Sequence, residues 1–127
     1  MRLPWMTIAA VFGGAAVIIG AMTAHFVDAE HADVRFQVIG LAFHMFHVAP
    51  LLAIAFMNSD HALSGTLAQI AGVFFVAGIL LFSGSLYYMP FGDELVGASL
   101  TPVGGISFIL GWVCLAVSGF LIWRRGE

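Results

Sequence analysis

Two histidines, His44 and His47, are the residues of this sequence whose type and spacing best fit chemistry. A separation of three residues places both imidazoles on one face of a helix. Neutral imidazole can ligate a metal, a haem or a (bacterio)chlorophyll, which makes both histidines candidate cofactor-binding residues. Alternatively, each ring hydrogen-bonds to a carbonyl or hydroxyl of a neighbouring helix and holds the helices together. We favour this second interpretation, because two rings on one helix cannot ligate a haem from opposite sides.

A second group of possible ligands lies within nine residues of the chain and combines imidazoles with carboxylates: His25, Asp28, Glu30, His31 and Asp33. Mixed nitrogen and oxygen ligands of this kind bind zinc, copper or nickel. The spacing matches no established metal motif, so we expect a solvated polar loop and no metal site. Cys114 is the single cysteine and is expected to behave as a small apolar residue.

Catalytic arrangements are not evident in the sequence. No serine has a histidine and an aspartate beside it at a common depth. The pairs Gly13-Gly14 and Gly104-Gly105 lie in apolar helical segments and do not follow a strand, so they are not phosphate-binding loops. Asp93 and Glu94 are adjacent and would diverge on a helix. We therefore expect no enzymatic activity.

The composition points to a lipid environment for these residues. Of the 127 residues, 61% are hydrophobic and 9% are charged, whereas soluble domains carry about 25% charged residues. The mean hydropathy is +1.05. Lysine is absent, the net charge is −3, and the four arginines are too few for a nucleic-acid surface.

Four apolar segments are long enough to span a bilayer, at about 20 residues for each span. We predict helices at residues 3–23, 36–57, 67–89 and 103–123 within a single domain, 1–127. The fold class is thus an all-α polytopic membrane protein with a bundle of four transmembrane helices.

The predicted loops and the arginines suggest how the chain is oriented. We expect the third loop to cover residues 90–102 and to end at Pro102, since proline starts or stops helices. Arg2, Arg124 and Arg125 lie on the side that holds both termini, against only Arg35 on the other. This excess predicts that both termini are cytoplasmic. The first segment is longer than the apolar core of a signal peptide, so we expect a retained helix.

Small residues at heptad-like spacing predict where the helices pack, because they let two backbones approach closely. They form two regular stripes, Ala9, Gly13, Ala16, Gly20 and Thr23 in the first helix and Gly104, Ser107, Gly111, Cys114 and Ser118 in the fourth. By depth, His44, Ser83 and Ser107 are expected to form one polar layer. Trp5 and Trp123 are expected to be interfacial anchors.

Several short motifs carry a family resemblance. They are GAMTAH at 20–25, FHMFH at 43–47, LFSGSLYY at 81–88 and LTPVGG at 100–105, followed by Gly111-Trp112. In this order they resemble the small four-helix membrane proteins of the domain of unknown function 423 family, over roughly residues 20–117.

The resemblance implies the fold and the membrane location, and it implies no activity or cofactor. His25 and His47 match family positions, whereas His44 stands where the family usually has glutamine. Met22 and Thr23 also depart from the family pattern, and Phe43 replaces a tyrosine. The extra His44 keeps a cofactor-binding alternative open for this member.

Together these observations predict a multi-pass protein of the bacterial cell inner membrane. We expect a structural or accessory subunit of a larger membrane complex, respiratory or photosynthetic. Its partners would be the lipid bilayer and other membrane subunits or further copies of itself, and not nucleic acid. The alternative is a haem-, pigment- or metal-binding membrane protein that uses His47 and His44. A channel or transporter is disfavoured, because intramembrane charge is missing.

Overall fold

The computed structural model describes residues 3–26, 33–57, 62–92 and 94–126. Three of the possible metal ligands in the first loop, Asp28, Glu30 and His31, lie outside the described residues.

Most of the described chain is helical. The helices are α1 (Trp5–Phe26), α2 (Asp33–Phe56), α3 (Ala62–Gly78), a π-helical turn (Ile79–Ser83), α4 (Gly84–Tyr88) and α5 (Glu94–Trp123). The segment α3, the π-helical turn and α4 follow one another directly and make up the third span.

Four helical spans are long and apolar enough to cross a membrane, namely Trp5–His25, Val34–Phe56, Ser64–Tyr88 and Leu95–Trp123. Each of the four predicted segments overlaps one of them. The chain is therefore an all-α, multi-pass membrane protein with four membrane-spanning helices.

The start of the fourth helix differs from the prediction. The segment 103–123 was expected to follow a loop at 90–102, but α5 already begins at Glu94. Pro102 therefore lies inside the helix and does not mark its start.

Hydroxyl groups add hydrogen bonds to the helical turns that precede this proline. Pro102 itself has no backbone N–H, so it leaves the carbonyl four residues earlier, that of Ala98, without its helical donor. The Thr101 hydroxyl donates to the Gly97 carbonyl at 2.9 Å, and the Ser99 hydroxyl donates to a carbonyl of the turn before it at 2.6 Å. Residues 94–102 are thus helical and do not belong to the predicted loop.

The small-residue stripe of α5 packs against the third span, as predicted. Gly104, Ser107, Gly111 and Ser118 are all buried. A Cβ placed on Gly104 would clash with the backbone nitrogen of Phe82. The two backbones therefore meet at this point, and only glycine fits.

The α1 stripe packs against α2, so that the bundle consists of two helix hairpins. Gly13 faces Val48, and Gly20 faces Leu41, with ideal Cβ distances of 3.7 Å and 3.1 Å. Further from the middle of α1, the Thr23 hydroxyl bonds to the Gln37 side chain at 3.1 Å.

Trp5 connects the two hairpins. Its indole N–H donates to the Gln69 side-chain oxygen at 2.8 Å, and its ring lies against Gly72 of α3. The side chain is buried within the bundle, so it does not face the lipid headgroups as the predicted interfacial anchor would. The indole instead fills the space that Gly72 leaves open. Trp123, by contrast, is exposed at the end of α5.

We predict that Gly104→Ala destabilises the bundle by about 1–3 kcal/mol, the usual cost of overpacking a close contact. Reversible unfolding of the purified protein in mixed micelles, followed by circular dichroism, measures this. Gly119→Ala is the matched control on the same helix, because a Cβ there meets no atom within 4 Å. Equal stability of the two variants would contradict the close approach of α5 and the third span.

The cytoplasmic position of both termini remains a prediction from the arginine distribution. A fluorescent protein fused after Glu127 should fluoresce in the bacterial host, and alkaline phosphatase fused there should be inactive. The reverse pair of results would place the C-terminus on the outer side.

Candidate functional site

Both predicted site histidines lie inside the bundle, on the buried face of α2. His44 and His47 are each 3% exposed. Gln37 and Gly40 lie on the same buried face. This face is directed inward because a histidine facing lipid would be costly.

Both nitrogens of the His47 ring are engaged by protein groups. Nδ1 lies 2.7 Å from the Phe43 carbonyl oxygen, and Nε2 lies 3.2 Å from the indole nitrogen of Trp112. A carbonyl only accepts, so Nδ1 carries the proton; an indole N–H only donates, so Nε2 supplies its lone pair. His47 is therefore a neutral imidazole in one defined tautomer.

Aromatic rings hold the plane of the His47 imidazole. It stacks on Phe108 with ring centroids 3.6 Å apart and an interplanar angle of 9°. Four more rings have centroids 5.2–6.1 Å from that of His47, and Phe82 packs on Phe108 behind them. We call these residues the His47 cluster: Phe43, Phe46, His47, Phe75, Phe82, Phe108 and Trp112. The cluster joins α2 of the first hairpin to α5 of the second.

His44 has a different environment. Its Nδ1 lies 3.2 Å from the Tyr87 hydroxyl, and Phe12 of α1 meets the ring edge-on at 5.7 Å. The second ring nitrogen, Nε2, is buried and has no hydrogen-bond partner among the described residues. The buried hydroxyl of Ser83 also has no hydrogen-bond partner among the described residues.

No direct hydrogen bond among the described residues joins His44, Ser83 and Ser107 into the expected polar layer. Ser107 donates instead to the Phe74 carbonyl at 2.7 Å and so connects α5 to α3. Ser118 makes the same kind of bond to the Ser64 carbonyl at 2.8 Å. The hydroxyl groups of the α5 stripe therefore act as links between helices.

Metal binding finds little support in the described parts of the chain, where no three histidine, cysteine, aspartate or glutamate residues come together. His25 is exposed at the end of α1, and Cys114 packs against the apolar core. His47 could ligate a metal only by giving up its bond from Trp112. Of the ring nitrogens of the two buried histidines, His44 Nε2 is the one without a hydrogen-bond partner among the described residues.

Sequence reasoning missed Trp112, Tyr87 and Gln69 as partners of the buried polar groups. Depth offered a signal for Trp112. Counted from the second-loop and C-terminal ends of their helices, His47 lies about 14 Å and Trp112 about 17 Å into the membrane, at 1.5 Å per residue. Two residues must lie at similar depths to be in contact, but depth does not show which faces of their helices are directed toward each other. Only the packed structure shows this.

The fold and the site define a class of protein: a four-helix membrane bundle whose buried polar side chains bond one helix to another. The family model described as "Protein of unknown function (DUF423)" matches residues 19–105. The chain therefore belongs to this family, as the sequence motifs indicated.

Named relatives match over most of their length. The UPF0382 membrane protein YwdK of Bacillus subtilis is 35% identical over 81% of this chain and 85% of its own. A UPF0382 membrane protein of Haemophilus influenzae is 34% identical over 94% of this chain and 96% of its own. The UPF0382 inner membrane protein YgdD of Escherichia coli is 32% identical over 93% and 90%.

These relatives and the four spans identify a multi-pass inner membrane protein. No solved structure matches the chain.

We predict a measurable energetic coupling between His47 and Trp112. A double-mutant cycle of His47→Leu and Trp112→Phe should give about 0.6 kcal/mol, and at most about 1.7 kcal/mol, as for other hydrogen bonds between membrane helices. The measurement is the free energy of unfolding of the four proteins in mixed micelles.

A second cycle, His47→Leu with Trp123→Phe, is the control. Trp123 contacts Phe120 at the far end of α5, so these two changes should be additive. Additive behaviour in the first cycle as well would mean that the His47–Trp112 bond is not formed.

Proposed function

We propose that the protein is an accessory subunit, without enzymatic activity, of a larger membrane complex of the respiratory or photosynthetic type. The observation that carries the proposal is an aromatic seam, by which we mean the exposed side chains of Phe43, Phe46 and Trp112 where α2 meets α5. Phe46 is 63% and Trp112 40% exposed, with ring centroids 5.8 Å apart.

The seam has properties of a protein-binding surface. Tryptophan side chains in membrane proteins concentrate near the lipid–water boundary, whereas Trp112 lies well inside its span. The hydrogen bond to His47 holds its indole in place. A side chain that is already ordered loses little conformational entropy when a partner binds, and tryptophan is enriched among residues that dominate binding energy.

The hydrogen bonds of the other buried polar side chains hold the helices together, which favours a structural role over a catalytic one. His47, Ser107 and Ser118 each bond to a neighbouring helix or to its backbone. Gln69 accepts from both the Trp5 indole and the Leu3 amide, at 2.8 Å and 3.0 Å. Polar side chains that are bonded in this way stabilise the bundle and leave its aromatic seam as the surface for a partner.

Native mass spectrometry of the gently solubilised protein, expressed at its natural level, tests the proposal. We expect a complex that contains other polypeptides, and we expect Phe46→Ala to weaken it severalfold. Phe120→Ala is the matched control, because Phe120 is also an exposed aromatic residue but lies outside the seam. Masses that correspond only to the chain or its multiples would reject an accessory subunit, and a Phe46-dependent multiple would identify the seam as a self-association surface.

A second candidate function is cofactor binding through His44 and His47, and the unpartnered Nε2 of His44 favours it. In this case the purified protein would carry a visible absorption band or added mass from a haem, a pigment or a metal. His44→Gln introduces the residue usual in the family and should abolish that signal. An accessory bundle without a cofactor should tolerate His44→Gln without loss of its partner.

A further inference from the structure

Two buried polar atoms on facing helices have no hydrogen-bond partner among the described residues. They are Nε2 of His44 on α2 and the hydroxyl oxygen of Ser83 at the end of the π-helical turn. Both side chains are more than nine-tenths buried. An unpaired polar group in an apolar interior is unfavourable, and native proteins rarely leave a buried polar group without a hydrogen-bond partner.

The two side chains lie on neighbouring surfaces of α2 and the third span. Side chains tilt toward the N-terminus of their own helix, and α2 and the third span run in opposite directions. The His44 ring is therefore directed toward Tyr87. The Tyr87 side chain is directed toward Ser83, which lies one helical turn before it in the chain. The 3.2 Å contact between His44 Nδ1 and the Tyr87 hydroxyl fixes this arrangement.

Gly40, one turn before His44, confirms the close approach of these surfaces. A Cβ on Gly40 would lie 3.1 Å from the Tyr87 ring and 3.4 Å from the Ser83 carbonyl oxygen. The backbone of Phe12 in α1 lies beside the His44 ring without making a hydrogen bond of normal geometry to Nε2. The unpartnered atoms thus belong to one small region between α1, α2 and the third span.

We propose that this region is a binding site for one small neutral hydrogen-bonding molecule, a water, which bridges His44 Nε2 and the Ser83 hydroxyl. Water fits because it both donates and accepts. The Tyr87 hydroxyl can donate to Nδ1 or accept from it. In the first case Nε2 carries the ring proton and donates to the water, and in the second case Nε2 accepts from the water. A buried water needs two to four polar partners, and the two side chains supply two.

Other polar side chains lie on the same buried face of α2. Gln37, which bonds Thr23, lies nearer the end of the bundle that holds the first loop. Gly40 and His44 follow at helical spacing on this face. Beyond His47, the face becomes apolar with Leu51 and Ile54. The water site does not depend on the accessory-subunit role proposed above.

Proton-detected solid-state NMR of the full chain in lipid bilayers, with nitrogen-15 in its histidines, tests the site. We expect polarisation transfer from water to the His44 side chain. His25 is the positive control, because it is exposed, and His47 is the negative control, because protein groups occupy both of its nitrogens. The transfer to His44 should be lost in Ser83→Ala, while unchanged His47 signals show that the variant is folded.

Two results would overturn the proposal. The first is transfer to His25 without transfer to His44 in the unmodified protein, which would mean that no water reaches the ring. The second is transfer to His44 that persists in Ser83→Ala, which would mean that Ser83 does not share the molecule. A direct hydrogen bond from His44 Nε2 to the Phe12 carbonyl would produce the first result.

Discussion

The hydrocarbon interior of a membrane offers no hydrogen-bond partner, and this constraint organises the whole bundle. His47 shows how the protein meets it. One ring nitrogen bonds within α2 and the other accepts from Trp112 of α5. Because these groups belong to different hairpins, satisfying one imidazole also joins the two halves of the fold. Within the second hairpin, the Ser107 and Ser118 hydroxyls likewise donate hydrogen bonds to backbone carbonyls of the neighbouring helix.

Such bonds form only if the helices approach closely, and the small residues make this possible. Gly104 brings the backbone of α5 against Phe82, and Gly111 leaves room for the Phe75 ring, 2.8 Å from where a Cβ would lie. Lipid does not drive helices together as water does, so tight packing and interhelical hydrogen bonds supply the association energy. The aromatic rings around His47 add contact area at the place where the hairpins meet.

The periodic features of the sequence predicted most of the fold, and the local exceptions escaped prediction. Hydropathy located the spans, and small-residue spacing located the packing faces of α1 and α5. Pro102 misled the prediction, because proline commonly starts or stops a helix but here lies inside α5. For the site, spacing showed that His44 and His47 share the buried face, but their partners Tyr87 and Trp112 come from helices distant in the chain. Rotation of one helix relative to another depends on the sum of many contacts, and no single motif encodes it.

The central claim is that His47 is a neutral hydrogen-bonded link between the hairpins and not a free ligand. The tautomer of His47, read from the nitrogen-15 shifts of its ring in the bilayer-embedded protein, tests this most directly. We predict a protonated Nδ1 and an unprotonated Nε2 whose shift changes in Trp112→Phe, since the indole proton is then lost. A protonated Nε2, or an Nε2 that is indifferent to Trp112→Phe, would contradict the account.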